Sequence, residues 1–157
     1  MARITDIFFV DAPEESVLLM KTTLSVSEIP GFIGKTFVQL NEYMKSKDIQ
    51  ALDAPFLQMQ GSDPNGIEIT AGIAVSKGAE KMEGHGDIKL SCIPAGKRIF
   101  CYWLGDNADM SALYEDMQDF AKKAGYKTKE GIFKYHLNSA REGVDHLLTK
   151  VVMLLES

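Results

Sequence analysis

The sequence predicts an α+β fold: a tandem β-α-β-β repeat with pseudo-twofold symmetry, whose antiparallel sheet carries two main helices and leaves a ligand groove between the repeats. Three observations carry this expectation. Strand-like and helix-like periodicities follow one another in the same order in each half of the chain. The chain aligns with itself without a gap at an offset of 77 residues. Its composition, 45% hydrophobic and 25% charged over 157 residues, is that of a globular domain with enough core to need no disulfide or structural metal. A single domain over 1–157, built from repeats at about 16–77 and 93–155, is therefore expected.

The first repeat opens on the β-rich run from Ser16 to Ser25. Ser27 then offers a helix cap ahead of Pro30, which a first helical turn tolerates. The helix that follows, near residues 28–47, has an apolar stripe of Ile33, Phe37, Leu40 and Met44, with Lys35, Gln39, Glu42 and Lys45 left for solvent. Phe56 to Gln60 and Ile67 to Val75 read as strands joined through Asp63-Pro64-Asn65-Gly66, a cluster that reverses a chain. The segment from Ser76 to Gly86 reads as a polar, glycine-rich loop.

The second repeat restates this order. Lys97 to Leu104 is a strand, and Met110, Leu113, Tyr114, Met117, Phe120 and Ala124 stripe a helix near 108–124 that Gly125 ends. Gly131 to Leu137 and Leu147 to Leu155 are the two closing strands. The 77-residue offset pairs Phe37 with Tyr114, Leu40 with Met117, Phe56 with Phe133, Gly66 with Gly143 and Val75 with Val152. A groove between such units is a common place for a small molecule.

Charge and motif content narrow the function. A formal net charge of -5 would repel a phosphate backbone, so no direct nucleic-acid partner is expected. Apolar runs such as Ile7 to Val10 are far short of the roughly 20 residues that span a bilayer, and acidic residues interrupt the N-terminal region. A cytoplasmic protein without a membrane partner is the expectation. Cys92 and Cys101 flank Pro94-Ala95-Gly96, a turn that would set them across a hairpin, and both are expected to be buried, reduced and structural. His85, His136 and His146 have no metal-ligand spacing, and nucleotide-binding and nucleophile-elbow motifs are absent. Neither a metal nor a cofactor is expected.

The run IPAGKRIFCYWLGDN, followed by the helix with Leu113-Tyr114, then IFKYHLNSA and the last apolar strand, resembles the GyrI-like small-molecule-binding domains. These include effector-binding domains of bacterial multidrug-sensing transcription activators and the gyrase-inhibitory protein. The resemblance runs from about Val17 to Leu155 and implies the same tandem fold. It also implies a glutamate in the pocket, in a Phe-Glu-x-Tyr-Leu-Asn context. Here that stretch reads Phe133-Lys134-Tyr135-His136-Leu137-Asn138, so Lys134 stands in the glutamate's place and His136 in the tyrosine's, while Trp103 stands where many members carry histidine.

Two readings of this strand compete. A plain alternating strand would turn Phe133, Tyr135 and Leu137 to the core and leave Lys134 and His136 in water. The resemblance instead turns Lys134 and His136 into a groove walled by Trp103, Phe37 and the first-repeat equivalents Leu57 and Met59. The resemblance implies an effector- or xenobiotic-binding protein for an aromatic or amphipathic ligand, and lysine in the glutamate's place shifts the expected ligand from cationic to uncharged or anionic; no helix-turn-helix of its own is expected ahead of Val17. The alternatives are a small-molecule hydrolase, for which Glu130 and Glu142 are the nearest carboxylates in sequence, and a protein-binding module like the gyrase inhibitor.

Overall fold

The structure is a computed structural model that describes residues 2–61, 63, 65–76, 86–106, 110–139 and 143–156. In chain order its strands are β1 (Ala2–Arg3), β2 (Phe8–Ala12), β3 (Glu15–Leu24), β4 (Phe56–Gln60), β5 (Ile67–Ala74), β6 (Lys89–Ile93), β7 (Gly96–Leu104), β8 (Thr128–His136) and β9 (Leu148–Leu155). The helices are α1 (Ile29–Ser46) and α2 (Ser111–Lys123). They form two compact units: the first is Glu14–Pro94, and the second is Met1–Pro13 with Ala95–Ser157.

In the first unit β5 runs antiparallel between β4 and β3, and β6 extends the sheet beyond β3. The chain enters α1 through a short 3-10 turn, Val26–Glu28. Ser25, not Ser27, starts it: its backbone N–H and its hydroxyl both donate to Glu28 Oε1, at 3.1 and 2.8 Å. Pro30 sits in the first turn of α1, where its missing N–H costs nothing. Leu40, Tyr43 and Met44 on α1 pack with Leu18, Met20, Ile73 and Val75. The turn before β5 closes as the sequence suggests, with Gly66 N–H donating to the Asp63 carbonyl at 3.0 Å and Asn65 N–H to Asp63 Oδ1 at 2.9 Å.

In the second unit β9 runs antiparallel between β8 and β7, and β1 and β2 pair with β7. Leu113, Met117 and Ala121 on α2 cover Ile99, Cys101, Val151, Met153 and Leu155. Gly125, at φ 86°, ends the helix. Among the described residues, no helix is long and apolar enough to cross a membrane.

Each unit thus contains a β-α-β-β run, β3-α1-β4-β5 in the first and β7-α2-β8-β9 in the second, whose last strand lies between its other two. The gapless offset, however, does not hold through the ladders. Ala71 stands opposite both Leu57 and Met20, and Val151 opposite both Lys134 and Cys101. If Leu57 corresponds to Lys134, 77 residues on, then Ala71 corresponds to Val151, 80 on, and Met20 to Cys101, 81 on. The helix keeps 77, since the buried Thr36, Leu40 and Met44 match Leu113, Met117 and Ala121. On that pairing Val75 falls on Leu155 and not on Val152, and all three are buried. The loops before α2 and before β9 differ in length from those of the first unit and absorb the slip.

Two further expectations are corrected. β2 and β6 lie in stretches to which the sequence reading assigns no element. The cysteines do not face each other across a hairpin: Cys92 pairs with Ser16, and Cys101 with Val151. Cys92 is exposed and Cys101 buried, both as free thiols, because β6 is the outer strand of its sheet while β7 lies under α2.

Candidate functional site

The site residues nominated by the second repeat assemble on one face of the second unit's sheet. Side chains alternate across a strand, so Ile132, Lys134 and His136 share a face of β8. β8 absorbs extra residues between Thr128 and Ile132, where Gly131 adopts φ 92°, a conformation that glycine takes without strain. Beyond this bulge the register is regular. Trp103, Thr149 and His136 lie in one row across β7, β9 and β8, and Cys101, Val151 and Lys134 form the next. Neighbours in such rows have Cβ atoms roughly 4.5–5.5 Å apart.

Lys134 is only 7% exposed, which removes the reading in which it points into water. Phe133 and Tyr135, on the opposite face, are buried as well and stack with centroids 6.4 Å apart. β8 is therefore covered on both sides. The Lys134 ammonium lies 5.9 Å from the centroid of the Tyr114 ring on α2. Burial holds its pKa below the ordinary lysine value. His136 is half-buried, and its Nε2 is enclosed without a hydrogen-bond partner among the described residues. Burial, and then the nearby Lys134 charge, lower the pKa of His136, which favours the neutral imidazole. Trp103 is partly buried against the α2 core and donates from Nε1 to the Asp106 carbonyl at 3.0 Å.

The first-repeat nominees form a separate apolar cluster in the first unit. Leu57 is buried with Ile69 and Ala71, and Met59 and Phe37 pack against them. The 77-residue offset matches Leu57 with Lys134 and Met59 with His136, so two apolar positions in one unit match two nitrogen bases in the other. Tyr114 was nominated only as helix stripe, yet the same offset pairs it with Phe37, and that pairing was the signal for its place beside Lys134. Thr149, fully buried between Trp103 and His136, carried no signal at all.

Glu130 and His146 are exposed, while His85 and Glu142 fall outside the described residues. Among the described residues, no group of three or more His, Cys, Asp or Glu side chains could hold a metal ion. Among the described residues, open hollows lie within the units. One of about 490 Å³ in the first is lined by Met20, Gln39, Glu42 and Tyr43 among others, and one of about 510 Å³ in the second by Arg3, Asp6, Asp116 and Lys123 among others. Neither includes a nominated residue.

The sequence profile of the GyrI-like small molecule binding domain matches residues 5–155. The chain is a GyrI-like domain. Solved structures of the same fold include the EcmrR C-terminal domain, with TM-score 0.74 at 13% identity over 98% of this chain and 99% of that one. In the EcmrR–DNA complex the TM-score is 0.78 at 14% identity over 97% of this chain, which spans 57% of the EcmrR chain. A protein from Listeria innocua described as a hydrolase gives 0.72 at 12% identity, over 99% of this chain and 94% of its own. SAV2435 bound to tetraphenylphosphonium gives 0.56 at 9% identity, over 98% and 95%. At these identities the likeness is one of fold. A search of curated proteins finds no match. Within this GyrI-like domain, Lys134 occupies the position for which the sequence resemblance implied a glutamate.

Proposed function

We propose that this GyrI-like domain is a small-molecule-binding protein for aromatic or amphipathic ligands that are uncharged or anionic, with Lys134, His136 and Trp103 as the polar and aromatic contacts. One observation carries the reading: Lys134 is buried on the strand face where the family resemblance implies an acid. SAV2435, which shares the fold, is bound to a lipophilic cation. A buried ammonium would repel such a cation. A carboxylate, phenolate or phosphate would instead gain a charge-assisted hydrogen bond, worth about 1.5–3 kcal/mol, and would offset the desolvation of the amine.

Trp103 is the single tryptophan of the chain, so tryptophan emission, excited selectively over the tyrosines, reports on this residue alone. Titration with an anionic aromatic dye and with tetraphenylphosphonium tests the proposal. Saturable quenching by the anion, at least tenfold tighter than by the cation, is expected. Preference for the cation would overturn it.

A further inference from the structure

We propose that Asn65 is a site of spontaneous deamidation, where the side-chain amide is lost through a succinimide and the turn before β5 becomes an aspartyl or isoaspartyl turn. The modification is independent of any ligand. Three observations in the first unit support it. Of the four asparagines in the sequence, only Asn65 is followed by glycine. Gly66 carries no Cβ to shield its backbone nitrogen, the atom that must attack. Asn65 is exposed in a turn, and its side-chain amide makes no hydrogen bond among the described residues. Asn138 gives the contrast: its Nδ2 donates to the His146 carbonyl at 2.7 Å and its Oδ1 accepts from the Leu148 N–H at 2.8 Å, which holds the amide in place. Asn41 lies within α1, where the next backbone nitrogen is committed to a helical hydrogen bond. One contact opposes the reaction at Asn65. Gly66 N–H donates to the Asp63 carbonyl at 3.0 Å, so the nitrogen is released only when this turn opens. Local opening at the surface costs far less than global unfolding, so the folded protein reacts, though more slowly than its unfolded chain.

The step balances with water as its co-reactant. The Gly66 nitrogen gives its proton to solvent and its lone pair to Asn65 Cγ, while the Cγ=O π pair moves to oxygen. When that pair returns, the Cγ–Nδ2 bond breaks and ammonia leaves with a proton from solvent. The five-membered succinimide then takes up water at either carbonyl. Attack at Cγ restores the main chain and leaves aspartate. Attack at the main-chain carbonyl of residue 65 breaks its bond to the Gly66 nitrogen and leaves isoaspartate, with an extra carbon in the main chain. Both products add a negative charge near Asp63, and the second lengthens the chain just ahead of Ile67, where β5 begins its pairing with Leu24 of β3.

Timed incubation tests this. The folded protein and the same protein unfolded in guanidinium chloride are held side by side in mildly alkaline buffer until half of the unfolded chain has lost the amide at Asn65. Peptide mapping then locates the conversion, and methyl transfer from S-adenosylmethionine by an isoaspartyl carboxyl methyltransferase counts the isoaspartyl product. The folded protein should show converted Asn65 at a level at least tenfold above Asn41 or Asn138. Gly66→Ala should slow the conversion at least tenfold. Its Cβ would meet Asp63 Oδ2 at 3.7 Å and Thr23 Cγ2 at 3.9 Å, which are ordinary contacts, so the variant should melt with the wild type. Asn65→Gln moves the amide one methylene away and should give no methyl-accepting product at this turn. An intact Asn65 in the folded protein at the sampling point, conversion led by Asn41 or Asn138, or a rate that Gly66→Ala and Asn65→Gln leave unchanged would overturn the proposal.

Discussion

Replacement of Gly72 by alanine tests the packing beneath the first unit. Gly72 faces Phe56 across the β4–β5 ladder, and the ring lies over it. A Cβ at this position would stand 2.5 Å from Phe56 Cζ, 2.9 Å from Cε1 and 3.0 Å from the Leu18 carbonyl oxygen. Carbon atoms pack at about 3.5–4.0 Å, so the ring would have to retreat by roughly 1 Å. Phe56 is 1% exposed and has little room to do so, and the Leu18 oxygen belongs to the backbone of β3. Overpacking of this kind costs about 1–3 kcal/mol. At roughly 2–4 °C per kcal/mol the melting temperature should fall by about 2–12 °C, and the urea midpoint should drop at constant slope. Phe56→Leu shortens the obstructing side chain, so the double variant should be more stable than the sum of the two single effects by at least about 1 kcal/mol. If Gly72→Ala is within about 0.5 kcal/mol of wild type, or the two effects add, the close approach of ring and glycine is wrong.

Other consequences follow from the second unit. Burial keeps the folded Lys134 amine below its ordinary 10.5, so between the folded value and 10.5 the unfolded chain binds more protons and stability rises with pH. Lys134→Met should flatten that rise in denaturation curves measured from neutral to alkaline pH; an unchanged slope would contradict the burial. Cys101 is enclosed, with its thiol pushed up to about 11 by burial, so a maleimide should label only Cys92 in the native state and both thiols in urea. Rapid labelling of both in the native protein would contradict the placement of β7 beneath α2. The acidic net charge predicts no tight, salt-sensitive binding of duplex DNA by this chain, and a salt-dependent gel shift at nanomolar protein would refute that.

The elements that were legible in the sequence are those whose pattern is local. Phe56–Gln60 is bounded as expected because Pro55 and Gly61 punctuate a short alternating run, and both helices appear because their stripes keep helical spacing over three turns or more. β6 was missed because Lys89–Ile93 is an exposed outer strand, whose polar and apolar residues need satisfy only one neighbour. The burial of Lys134 was not legible from alternation. A strand covered on both faces carries no hydrophobic code for which face is wet, and only the helix above it, through Tyr114, decides. The uniform offset failed for a related reason: helix and strand stripes each repeat within themselves, so sequence matching tolerates slips of three or four residues that a hydrogen-bonded ladder does not.

Charge reversal at Lys134 tests the binding reading most directly. Wild type and Lys134→Glu are each titrated with one anionic and one cationic aromatic dye while Trp103 quenching is followed. The wild type should prefer the anion by at least tenfold, about 1.4 kcal/mol, and the variant should prefer the cation by a similar factor. Equal affinities in the two proteins would mean that Lys134 is a structural residue of β8, remote from any ligand.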